Sequence, residues 1–153
     1  VPLNALLTGY LAGVSTLAEF LALPDELLYQ RPAPETWSAA EVIHNLADAE
    51  IAWSLVYRRA LADHRPEIEV WDEQHYSERL RYDKRPLLHA VSTVSALRHG
   101  NVDLFAAIKP QQWRRGAIHP EQGLMTLREL VLMATDEMAD RLAQARRAVN
   151  GSP

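Results

Sequence analysis

No cysteine occurs among the 153 residues. Disulfides, thiolate nucleophiles and cysteine-liganded zinc are excluded with it, so a metal would have to be held by His, Asp or Glu. Positive charge is not in surplus either: 16 Lys and Arg stand against 20 Asp and Glu, a formal net charge of −4. Sequence-independent phosphate binding draws on excess basicity, and no nucleic-acid partner is expected. Arg114-Arg115 and Arg146-Arg147 are too few to reverse that. Charged or polar residues punctuate every apolar stretch before it reaches the roughly 20 residues of a membrane span, so no membrane partner is expected. Val1-Pro2-Leu3-Asn4 carries no basic leader region, which makes the cytoplasm the expected location. His-Glu-x-x-His, Gly-x-Ser-x-Gly, phosphate-loop and dinucleotide-binding motifs are all missing, leaving protease, lipase, nucleotide and Rossmann readings without support.

What is present is apolar material in helical register. With 48% hydrophobic and 24% charged residues the chain reads as one globular domain over 1–153. Leu3, Leu7, Tyr10, Val14, Leu17 and Leu21 recur at alternating spacings of four and three, the seam of a bundle helix that Pro24 ends. Ser38-Ala39-Ala40-Glu41 is a capping box opening a second helix to about Asp63, with the stripe Val42, Leu46, Ala49, Trp53, Val56 and Ala60. Residues 66–84 hold no sustained period and read as a long crossover, partly helical at most. Pro86 suits the first turn of a third helix, carried by Leu87, Val91, Val94, Leu97, Val102, Phe105 and Ile108 to Pro110. Residues 113–123 read as a loop, with the one hint of a strand near Trp113. Thr126-Leu127-Arg128-Glu129 is a second capping box, and a fourth helix runs from it to about Val149. The expected fold is all-α: an antiparallel four-helix bundle with two short connections and one long one, between helices two and three.

Bundles build their sites from inward side chains on facing helices. At about 100° per residue from Val42, Asn45 falls roughly 60° from the stripe centre, while His44 falls near the opposite side. From Leu127, Arg141 falls roughly 40° and Glu137 roughly 80° from the centre, on the same edge. Glu137 and Arg141 are one turn apart in the favourable acid-before-base order. Asn45, Glu137 and Arg141 are therefore the candidate inward trio. His44 and Asp48, also four apart, are expected on a solvated face. Arg98 and His119 are candidate neighbours of the pocket, with Arg98 either facing it or snorkelling and His119 expected to serve a turn. Trp71, His75, Tyr76 and Tyr82 in the crossover are expected to anchor it on the bundle.

The run Trp37-Ser38-Ala39-Ala40-Glu41-Val42-Ile43-His44-Asn45-Leu46-Ala47-Asp48-Ala49-Glu50 resembles the start of the DinB/YfiT-like superfamily. His119-Pro120-Glu121-Gln122-Gly123 followed by Thr126-Leu127 strengthens the likeness, which covers about residues 27–147. The resemblance implies a four-helix bundle, often a homodimer, in which three histidines bind nickel or zinc. It also implies kinship with metal-dependent hydrolases and with proteins that transfer or use low-molecular-weight thiols such as bacillithiol and mycothiol. In that pattern the first ligand precedes Leu-Ala-Asp, and the other two lie four apart in the last helix. Here those positions hold Asn45, Glu137 and Arg141. A guanidinium repels a metal ion and an amide oxygen is a weak substitute for imidazole, so no metal or other cofactor is expected. Arg141 is expected to replace the ion's charge, with Glu137 neutralising it and Asn45 bridging the two. Two function classes follow: an enzyme of hydrolase or thiol-transferase ancestry acting on a small molecule, or a metal-free bundle that binds a small acid or serves structurally as a dimer.

Overall fold

The computed structural model describes residues 2–153; Val1 lies outside them. Helix α1 (Leu3–Glu19) continues as a 3-10 turn over Phe20–Ala22, and Pro24 starts the short α2 (Asp25–Leu28). Ser38 and Glu41 close their capping box, each side chain accepting the other's backbone N–H at 3.1 and 3.2 Å, and α3 runs from Ala39 to Ala62. The crossover contains α4 (Glu73–Arg79), capped by Asp72. Helix α5 spans Leu88–Ala107, and α6 spans Leu127–Val149 behind the Thr126–Glu129 capping box.

The four long helices pack as expected of a bundle, but α1 touches α5 and α6, and α3 touches the same two. Chain neighbours α1 and α3 are thus diagonal across the bundle, as are α5 and α6. A diagonal step cannot be made by a tight turn, and this corrects the expectation of two short connections: residues 20–38, 63–87 and 108–126 each form a substantial link. The last link also corrects the loop reading of 113–123. After a 3-10 turn over Pro110–Arg114, β1 (Gly116–His119) pairs antiparallel with β2 (Gly123–Thr126), with Gly116 opposite Thr126. A Cβ at Gly116 would lie 1.9 Å from the Met125 carbonyl oxygen, so only glycine fits there. Residues 66–68 add to the free edge of β1, Ile118 donating to the Pro66 carbonyl at 2.8 Å and accepting from Ile68 at 2.9 Å. This lays Ile68, Glu69, Val70 and Trp71 beside the middle of α3.

Two apolar clusters form the core, one around Leu17, Ile43, Val94 and Met138, the other around Tyr57, Phe105, Leu130 and Val131. The segment Leu3–Ala22 has mean hydropathy 1.4 and is by length and composition apolar enough to cross a membrane, contrary to the count of unbroken runs. In the fold it lies along α5 and α6, with Leu6, Tyr10, Leu17 and Phe20 buried.

His44 overturns the angular expectation. It is 2% exposed, its ring stacks on Tyr82 and its Nε2 donates to the Arg85 carbonyl at 2.9 Å. Asp48, expected on the same solvated face, is half-buried and accepts the Tyr82 hydroxyl proton. The helix-wheel argument allows one buried side, whereas the crossover covers the other side of α3 as well, so every residue from Ala39 to Ala47 is buried.

Candidate functional site

Two adjoining cavities open where α3, α4, α6 and the hairpin converge. The first, about 210 Å³, is walled by Trp53, Val56, Ile68 and Trp71, with Glu69, Glu73, Glu137 and His119 at its polar edge. The second, about 370 Å³, is bounded by Asn45, Asp140, Arg141, Gln144 and Arg147. Ala49, Glu73 and Glu137 line both, so the cavities meet at those residues.

Glu137 stands at the junction. Its Oε2 accepts the Trp53 indole N–H at 3.0 Å. Burial pushes its carboxyl above the ordinary range, and Glu73 adds to that; the Trp53 hydrogen bond, Arg141 and His119 pull the other way. Arg141 is not its partner. The guanidinium bonds to the Glu73 carboxylate and, at 2.9 Å, to Gln144 Oε1, and it lies 5.5 Å from the centre of the Trp37 ring. Asn45 is 1% exposed, and among the described residues its Nδ2 has no hydrogen-bond partner. The structure therefore brings Asn45, Glu137 and Arg141 around one cavity but does not link them. The expected closed network fails because Glu73, from a crossover with no readable period, reaches Arg141 first.

His119 serves a turn and also borders the first cavity. Its Nδ1 accepts the N–H groups of Glu121 and Gln122, both at 3.1 Å, which places the ring proton of the neutral imidazole on Nε2. Arg98 does neither thing expected of it. It is 2% exposed, borders neither cavity and pairs with Glu50 at 2.9 Å inside the bundle. Trp71 lines the first cavity, whereas Tyr82 is fully buried against α3. Two site residues escape a periodicity reading: Trp53, counted only as core, and Glu73. The sole sequence signal for Glu73 is Asp72, a capping side chain that places it in the first turn of a helix.

A four-helix bundle with both pairs of chain neighbours set diagonally, and a polar cavity between the second and last long helices, defines the class. The chain belongs to the DinB superfamily, whose family model matches residues 12–145. Over 91 residues it is 28% identical to a protein of Oceanobacillus iheyensis named "putative metal-dependent hydrolase", an alignment covering 60% of this chain and 52% of that one. The chain thus spans about half the length of that relative. Its fold matches YfiT from Bacillus subtilis with a TM-score of 0.87 at 18% identity, over 96% of this chain and 85% of the other. That protein is described as a probable metal-dependent hydrolase with an unusual four-helix bundle topology.

The residues at the positions where the family resemblance expects ligands do not fit a metal. Arg141 offers only cationic donors, and one Glu137 oxygen is engaged by an indole N–H. Among the described residues no three His, Asp or Glu side chains gather closely enough to hold an ion.

Proposed function

We propose that this DinB-superfamily bundle has exchanged metal chemistry for metal-free binding of a small organic acid, whose carboxylate enters the cavity between α3 and α6. The observation that carries this reading is Asn45, a buried amide on the cavity wall whose Nδ2 lacks a partner among the described residues. A buried donor left unpaired costs about 1–3 kcal/mol, and a ligand acceptor removes that cost. An amide rotates about its last bond with little penalty, so its N–H can be presented to the cavity. Arg141 supports the same reading: of its five N–H donors, those to Glu73 and Gln144 leave others for an incoming carboxylate. Arg147 adds a second positive group to the lining.

Calorimetry with 3-phenylpropionate, on protein whose nickel and zinc content has been measured, tests this. Binding without metal is expected, weakened at least about tenfold in Arg141→Gln, since a charge-assisted pair is worth roughly 1.5–3 kcal/mol. Stoichiometric nickel or zinc held through Asn45 or Glu137 would overturn it, as would acid binding indifferent to Arg141.

A further inference from the structure

Acidic side chains outnumber basic ones in the lining of the two cavities. Glu69, Glu73, Glu137 and Asp140 stand against Arg141 and Arg147, so a bare carboxylate adds negative charge where it already exceeds positive. Arg141 is moreover paired with Glu73, which leaves Glu137 without a cation of its own. Among the described residues its one hydrogen-bonding partner is the Trp53 indole. Burial holds the Glu137 carboxyl above its ordinary range, the mark of a carboxylate whose charge is poorly compensated. The wall beside it is aromatic: Trp53 and Trp71 line the same cleft, and an indole face attracts an ammonium as well as an apolar group.

We infer that the ligand is a zwitterion, an amino acid with an apolar side chain, whose ammonium meets the Glu137 oxygen that Trp53 does not engage while its carboxylate takes the Asn45 and Arg141 side. The joined cavities then meet both charges of one molecule across Glu137, and the tryptophans cover its apolar part. This inference rests on the acid-binding reading, and the two can fail separately.

The test compares 3-phenylpropionate with phenylalanine, with 3-amino-3-phenylpropionate and with phenethylamine by calorimetry on the full chain. At least one of the two amino acids is expected to bind about tenfold more tightly than 3-phenylpropionate. That advantage is expected to vanish in Glu137→Gln, which keeps the Trp53 hydrogen bond and, with one negative charge removed from the lining, should bind 3-phenylpropionate at least as tightly as the unaltered chain; a matching thermal midpoint and circular dichroism spectrum confirm that this variant folds. If 3-phenylpropionate binds but neither amino acid gains, or the gain survives in Glu137→Gln, the zwitterion is overturned and the acid reading stands. If phenethylamine binds as tightly as either amino acid, or nothing binds, both fall.

Discussion

Arg98 brings a full charge into the bundle interior, and each of its contacts answers that cost. It donates to Glu50 at 2.9 Å, to the Tyr10 carbonyl at 2.6 Å and to the Ala134 carbonyl at 3.2 Å, with its guanidinium 4.2 Å from the centre of the Tyr10 ring. The other Glu50 oxygen accepts the Tyr10 hydroxyl proton at 2.6 Å, and Asn101 donates to Tyr10 and to Ser54. Helices α1, α3, α5 and α6 all contribute an atom, so one network ties the four together. Glu50→Gln keeps the shape but leaves the guanidinium uncompensated, and about 3–5 kcal/mol of stability should be lost in urea unfolding. Glu50→Leu with Arg98→Met should recover most of that, because two apolar groups leave no stranded charge. Tyr57 gives the opposite prediction. Its hydroxyl is buried without a partner among the described residues, so Tyr57→Phe should leave stability unchanged or raise it, by up to about 1 kcal/mol in the same measurement.

Helix α4 is seven residues long and too short to persist by itself, so its place depends on what holds it. Gln74 accepts the Trp37 indole proton at 3.0 Å, Glu73 pairs with Arg141, and just beyond the helix Tyr82 reaches Asp48. The segment after α4 lies on His44, whose imidazole burial keeps below its ordinary value of 6.5; Arg85 adds to that lowering, while the hydrogen bond to the Arg85 carbonyl and nearby Asp48 oppose it. The native state thus resists a proton that the unfolded chain accepts. As pH falls below about 6.5 the unfolded state binds more protons, and stability declines until native His44 also protonates. Urea midpoints should therefore drop between pH 7 and pH 5, and the drop should shrink in His44→Gln. None of this was legible from periodicity. The boundaries of α3 and α6 were, because each starts with a capping box before a stripe of fixed spacing. The hairpin strands, four residues each, are too short to establish an alternation, and a single wheel sets His44 on the solvent side because it cannot anticipate a second covering layer.

At the scale of the whole molecule, the diagonal connections put the middle of α3 against the middle of α6, where Trp53 bonds to Glu137, and free the crossover and hairpin to wall the space beside them. The fold is shared with YfiT at 18% identity, so it tolerates wide change in side chains along the chain. The residue positions of the candidate site were legible because two independent lines met there, the inward edge of two helices and the resemblance to the family's ligand pattern. How those side chains pair was not, since Glu73 arrives from a segment whose placement depends on tertiary contacts. If the bundle still holds the family's ligand geometry, restoring the side chains should restore the chemistry of binding. The combined Asn45→His, Glu137→His and Arg141→His variant loses Arg141's bond to Glu73 and gains three imidazoles facing one cavity. With nickel or zinc at about 100 times the dissociation constant, native-state binding should stabilise this variant by about 2.7 kcal/mol, read as a raised thermal midpoint that chelator reverses. The unaltered chain should show no such shift. A triple variant that folds yet ignores both metals would mean that these three positions do not share a coordination sphere, and that the match between helix edge and ligand pattern was coincidental.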